Sequence, residues 1–128
     1  MRILVVDDFL TMRRVVRSQL RAIGFDDLAE AGDGEAALVQ LRAGPFDLVI
    51  SDIDMPTMGG FELLSAIKTD ARLRHLPVLM LAAEARKEDI VRCAQVGAAA
   101  YLVKPFSKSV LEEKIRLALR TASESMSS

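Results

Sequence analysis

The sequence predicts one α/β domain: a three-layer, doubly wound parallel sheet of five strands with helices on both faces. Three observations predict it. Short apolar runs alternate along the chain with stretches of helical periodicity. Those runs are continuously apolar, which is how strands covered on both faces read. No linker, repeat or low-complexity segment divides the 128 residues, a length within the roughly 100–200 residues of one domain.

The elements follow in order. Ile3-Leu4-Val5-Val6 is the first strand, broken at once by Asp7-Asp8. Met12, Val15, Val16, Leu20 and Ile23 fall at helix spacing, and Gly24 suits a left-handed close. A weaker strand lies at Asp27 to Ala31. Asp33 is an N-cap for a second helix carrying Ala37, Leu38 and Leu41, which stops at Gly44-Pro45. Leu48-Val49-Ile50 is the third strand, and Phe61, Leu64 and Ile67 the stripe of the third helix. Val78-Leu79-Met80-Leu81 is the fourth strand, followed by a stripe of Ile90, Val91 and Ala94 that Gly97 ends. Tyr101-Leu102-Val103 is the fifth. Ser107 caps the last helix, with Leu111, Ile115 and Ala118 inward. Residues 1–120 make the domain, and 121–128 a short, frayed polar tail. Strict strand–helix alternation implies right-handed crossovers.

Composition narrows the function classes. Hydrophobic residues make up 51% and charged residues 27%, the balance of a soluble globular chain. With 5% aromatics and no tryptophan the core is aliphatic. A net charge of −1 and a pI near 5.8 leave no basic excess for a phosphate backbone, which argues against nucleic acid. No apolar run reaches the 18 or so residues of a membrane span, and none resembles a signal peptide. The single cysteine, Cys93, cannot form an internal disulfide and reads as a small apolar packing residue. Together these point to the cytoplasm.

Chemistry in such sheets collects beyond the carboxyl ends of the strands. Strand 1 delivers Asp7 and Asp8, strand 3 delivers Asp52 with Asp54 two residues on, and strand 5 delivers Lys104-Pro105. If strands 1 and 3 are neighbours, Asp7, Asp8 and Asp52 share one pocket. Two carboxylates about 5 Å apart repel by roughly 3 kcal/mol at an effective dielectric of 20. Three together call for a cation, raised pKa values, or both. A few carboxylates with open positions suit Mg²⁺, which keeps waters and accepts phosphate oxygens. Singly, each acid reads as an ordinary loop residue; it is their convergence that argues for a site.

These residues resemble a known family. LVVDDFLTMRR at 4–14, VISDIDMP at 49–56, PVLMLAAEARKEDI at 77–90 and AYLVKPF at 100–106 are similar to the receiver domains of two-component response regulators. Within them, FLTMRR and Tyr101 favour the single-domain chemotaxis regulators of the CheY type. The resemblance spans about residues 2 to 120. It implies a flavodoxin-like sheet in the order 2-1-3-4-5. It implies Asp52 as phosphoacceptor, with Mg²⁺ held by Asp7, Asp8, the Asp52 carboxylate and the Asp54 main-chain carbonyl, and Lys104 contacting the phosphoryl group. It further implies a cis peptide bond before Pro105. The upstream partner would be a histidine kinase. The output face would be helix 4, strand 5 and helix 5, including Lys87, Ile90, Tyr101 and Lys114, directed to the flagellar motor switch. With no DNA-binding segment after the fifth helix, the domain's own surface is the expected output. An auxiliary phosphatase and a monomeric state are further expectations. Such a protein takes up and sheds its own phosphoryl group and is not a turnover enzyme.

One departure is central. The family carries Thr or Ser at the end of strand 4, where its hydroxyl meets the phosphoryl group and cooperates with the aromatic switch residue, here Tyr101. This chain has Ala82, and no hydroxyl occurs from Val78 to Ala85. The expectation is an acceptor that still works while its switch is weak or differently wired. Asp54 orients attacking water, repels the phosphoryl group or is a plain solvent-facing loop acid, and Gly59 replaces a familiar loop Asp with a local effect only. A phosphate sink with no output partner is the second reading. A haloacid-dehalogenase-like phosphatase is a third: Asp52-Ile53-Asp54 fits its nucleophile pair, but Asp7-Asp8 has no role there. Gly32-Asp33-Gly34-Glu35-Ala36-Ala37 fits a dinucleotide fingerprint, yet Asp33 and Glu35 would oppose a pyrophosphate, so turn and cap explain it better. His75 reads as a solvated loop histidine.

Overall fold

The computed structural model describes the backbone of residues 1–127 and the side chains of residues 1–122. Ten elements alternate: β1 (Arg2–Val6), α1 (Leu10–Ile23), β2 (Asp27–Ala31), α2 (Gly34–Ala43), β3 (Leu48–Asp52), α3 (Gly60–Thr69), β4 (Val78–Ala82), α4 (Lys87–Val96), β5 (Ala100–Val103) and α5 (Lys108–Ser127). The strands form one parallel sheet in the order β2-β1-β3-β4-β5. From β1 the chain first steps outward to β2 and then crosses to β3 on the other side. The crevice between the ends of β1 and β3 is therefore the point where strand order reverses.

The pleat sends alternate residues to opposite faces. Leu4, Val6, Val49, Val78 and Met80 pack with Leu38 and Leu41 of α2, Leu64 and Ile67 of α3 and Cys93 of α4. Ile3, Val5, Leu48, Ile50, Leu79 and Leu81 pack with Val16 and Leu20 of α1 and with Leu111, Ile115 and Ala118 of α5. Most of these strand side chains are fully shielded from water. Each such aliphatic side chain contributes about 1.5–3 kcal/mol through burial, and this two-sided core holds the strand tips in register. Asp33 caps α2 by accepting from the Ala36 N–H at 2.8 Å, and Ser107 Oγ accepts from the Val110 N–H at 3.2 Å at the start of α5. Gly24 and Gly97 close α1 and α4 at φ of 121° and 107°.

Two expectations require correction. Helix α4 does not bury Ile90, Val91 and Ala94: Cys93 is its buried residue, flanked by half-buried Asp89 and Val96, while Ile90 and Val91 are each 45% exposed. It lies against the edge strand β5 and α3, so it covers only a narrow stripe, and the apolar residues beside that stripe face water. Val15 is likewise outward, because Met12, Val16 and Leu20 take the inner row of α1. The backbone of α5 runs on through residues 121–127. Neither Gly nor Pro interrupts them, and Thr121 Oγ1 donates back to the Leu117 carbonyl at 3.0 Å.

Candidate phosphoacceptor site

The site is assembled by strand ends. Asp7 directly follows β1, and its N–H donates to the Ala31 carbonyl of β2 at 3.1 Å. Its carboxylate accepts from the Phe9 N–H at 2.9 Å, which turns the chain into α1. Asp52 ends β3, opposite Leu81 of β4. Lys104 follows β5, its N–H donating to the Ala82 carbonyl at 2.8 Å, and the Lys104–Pro105 bond is cis. Asp7 is 1% and Asp52 4% exposed. Acids this buried persist only when paired or bound to a cation.

Both kinds of partner are provided for. The Lys104 ammonium donates to Asp52 Oδ1 at 3.0 Å and to Asp7 Oδ2 at 3.4 Å. Burial raises the Asp52 pKa above its ordinary value; the Lys104 hydrogen bond opposes this, and the Asp7 and Asp54 charges reinforce it. Burial pulls the Lys104 pKa down, but its bonds and charge contacts with Asp52 and Asp7 prevail and raise it. Asp7, Asp8 and Asp52 each offer an oxygen within 4.8 Å of the others. Asp8 Oδ1 is buried with no hydrogen-bond partner. An all-oxygen set with one orphaned, buried carboxylate oxygen fits a hard divalent cation such as Mg²⁺.

Sequence reading missed three supports. The Arg13 guanidinium donates to the Asp7 carbonyl at 2.6 Å and to Glu30 at 3.0 Å, and Glu30 also takes Arg17 at 2.5 Å. These contacts link β1, α1 and β2 across up to 17 positions, with no local signature. Gly60 starts α3 against the end of β3, where a Cβ would fall inside contact of the Asp52 carbonyl and the Ile53 backbone. The Gly59-Gly60 pair was the available signal. Thr57 adopts a left-handed φ of 68° in the loop after Pro56.

The response regulator receiver domain family matches residues 3–116. The chain belongs to that family. It is of the single-domain CheY type, being 52% identical over 115 residues to chemotaxis protein CheY of Pseudomonas aeruginosa, covering 90% of this chain and 93% of that one. Chemotaxis protein CheY-3 of Vibrio cholerae is 51% identical over 115 residues, covering 90% and 88%. Among solved structures, Vibrio cholerae CheY4 superposes with a TM-score of 0.85 at 35% identity, covering 92% of this chain and 98% of that one. A CheY-like receiver from Methanospirillum hungatei also gives 0.85, at 28% identity and 97% coverage of both.

Within this receiver the remaining candidates separate by position. Ala82 is buried at the end of β4, so no side-chain donor faces the Asp52 pocket from there. Tyr101 packs its ring against the α2–α3–α4 side of the core and donates its hydroxyl to the Glu84 carbonyl at 2.9 Å. Lys87 and Ile90 are exposed on α4, Lys114 is half-buried on α5, and Asp54 is exposed beside the site. His75 is exposed and distant from the acids, in a cleft of about 310 Å³ at the amino ends of β4 and β5. No described helix is long and apolar enough to cross a membrane.

Proposed function

We propose that this receiver accepts a phosphoryl group from a histidine kinase onto Asp52 in a chemotaxis pathway, and signals through α4, β5 and α5 to the flagellar motor switch. The observation that carries this is the closed set at the strand tips: three acids within 4.8 Å of one another and an ammonium 3.0 Å from one of them. Asp7, Asp8, the Asp52 carboxylate and the Asp54 main-chain carbonyl would hold Mg²⁺. When bound, the ion neutralises the oxygens of the transferring group.

An Asp52 carboxylate oxygen attacks the phosphorus of the donor's phosphohistidine. The P–O bond forms as the P–N bond breaks, and the imidazole nitrogen leaves with the electron pair and takes up a proton. Lys104 shifts from the carboxylate to a phosphoryl oxygen. Water later attacks phosphorus, which releases phosphate and restores the carboxylate. Asp54 either orients that water or repels the phosphoryl group, and an unchanged phosphoryl lifetime in Asp54→Asn leaves it an ordinary solvent-facing loop acid. The protein acts as a cytoplasmic monomer, with an auxiliary phosphatase as a further partner.

A second reading has one observation in its favour. Ala82 removes a hydrogen bond to a charged group, worth about 1.5–3 kcal/mol, as large as a typical allosteric coupling of about 1–3 kcal/mol. A receiver that accepts phosphate without switching would serve as a phosphate sink. Binding of a motor-switch peptide to the protein, free and loaded with beryllofluoride and Mg²⁺, separates the readings. Tighter binding of the loaded form supports motor control; no binding in either state leaves the sink. In the same preparation, the Tyr101 amide shift should be smaller than in Ala82→Thr, and equal shifts would dismiss the special role given to Ala82.

A further inference from the structure

Negative groups outnumber cations at the mouth of the site. Asp7, Asp8 and Asp52 crowd together, Asp54 adds to their field, and Lys104 is the cation bonded to them. Phosphorylation replaces the single charge of the Asp52 carboxylate with about two on the phosphoryl group, so that with Asp7, Asp8 and Asp54 the negative charge exceeds what a divalent ion and one lysine neutralise. The end of β4 answers with Ala82 and Ala83, which have nothing to donate. The next cation along that loop is Arg86. It is the N-cap residue of α4 but caps nothing with its side chain. Its Nε sits 3.2 Å from Glu84 Oε2, in a pair whose side chains are 57% and 69% exposed. With Ile53, Asp54, Gly59 and Phe61 it borders an open groove of about 200 Å³ beside the phosphoacceptor loop. The main-chain carbonyl of Glu84, its partner, is the acceptor for the Tyr101 hydroxyl.

We propose that Arg86 reads the phosphorylation state of Asp52: paired with Glu84 at rest, it crosses the groove past Asp54 to an outward phosphoryl oxygen once Asp52 is loaded. This rests on the phosphoacceptor reading of Asp52. No covalent bond changes; one ion pair exchanges for another. A solvent-exposed carboxylate pair holds a guanidinium weakly, whereas a phosphoryl group offers it a bidentate, doubly charged acceptor. The exchange pulls residues 83–86 toward β3, and with them the carbonyl on which Tyr101 rests. Phosphorylation is thereby coupled to the α4–β5 face without a hydroxyl at position 82.

Backbone amide spectra with beryllofluoride and Mg²⁺ as the phosphoryl probe test this. In wild type the probe shifts the amides of Asp52 to Asp54, Glu84 to Lys87, and Tyr101. In Arg86→Gln the Asp52 shifts persist at higher probe concentration, its affinity falls about fivefold or more, and the Glu84 and Tyr101 shifts vanish. Arg86→Lys recovers part of both. Glu84→Gln, which frees the guanidinium, tightens probe binding in the wild-type background but not in Arg86→Gln, a dependence that loss of the Glu84 charge alone would not give. Wild-type affinity and unchanged Tyr101 shifts in Arg86→Gln overturn the Arg86 role alone. Failure of wild type to bind the probe at all overturns the phosphoacceptor reading beneath it.

Discussion

Burial and the neighbouring acids oppose ionisation of Asp52 while Lys104 favours it, and that tension is measurable. Its folded pKa lies above the unfolded value of 3.8, so the folded protein binds this proton more readily than the unfolded chain. Ionised Asp52 therefore costs stability at neutral pH, and the cost fades as pH falls through the folded pKa. Without metal, Asp52→Asn should be more stable at pH 7 by about 1–3 kcal/mol, the scale of one carboxylate repulsion at close range. Urea unfolding at descending pH should show that advantage shrink; an advantage that is absent or independent of pH contradicts the account. Lys104→Ala should do the reverse, losing about 2 kcal/mol by leaving Asp7 and Asp52 face to face, and added Mg²⁺ should recover part of it. Gly60→Ala should cost about 3 kcal/mol, because the two nearest atoms its Cβ would meet, the Asp52 carbonyl oxygen and the Ile53 Cα, are backbone and cannot move aside. Asp7, Asp8, Asp52 and Lys104 were legible in the sequence because core strands give no reason to end in charge. Arg13 was not, since its partners Asp7 and Glu30 meet it only after β1, β2 and α1 have packed.

At the scale of elements, α4 separates what pattern alone can decide from what packing decides. Its existence and its Gly97 stop were readable, but its inward face was not, because Ile90 and Val91 are apolar and yet exposed. Helical periodicity marks a stripe without saying whether the sheet is wide enough to cover it. A helix over an edge strand buries one row, and Cys93 occupies it. Burial pushes the Cys93 thiol pKa up to about 11, so the native protein should resist alkylation at pH 8 and react only when unfolded; rapid labelling of the folded protein would place Cys93 outside the core. Ile90→Lys should leave stability within about 0.5 kcal/mol of wild type while abolishing whatever binds the α4–β5–α5 face. Thermal unfolding and peptide titration on one sample check both halves. The other helix faces were readable because α2, α3 and α5 carry apolar rows that the strand side chains meet directly. The backbone of α5 runs on to Ser127 although its small polar residues read as tail, since nothing in them breaks a helix.

Across the whole molecule, the sheet converts separate stretches of sequence into one pocket. Strand alternation gave the α/β class directly, but the neighbourhood of β1 and β3 came only with family resemblance, since apolar runs carry no pairing address. Once that order is in place, residues 7, 8, 52 and 104 converge, and the carboxylates of Asp7, Asp8 and Asp52 come within 4.8 Å of one another. The same order leaves the tip of β4, at Ala82, without a side-chain donor toward the Asp52 pocket. Metal binding should thus stabilise the fold as a whole: at a Mg²⁺ concentration a hundredfold above the dissociation constant, by about 2.7 kcal/mol, an effect that Asp8→Ala should remove. The most direct measurement is intact-mass analysis of the protein incubated with phosphoramidate, a small P–N phosphoryl donor, with Mg²⁺ or with a chelator. The account predicts one added phosphoryl group in wild type with Mg²⁺, and none with chelator or in Asp52→Asn. A phosphoryl group that still appears on Asp52→Asn, or that forms equally well without Mg²⁺, would contradict it.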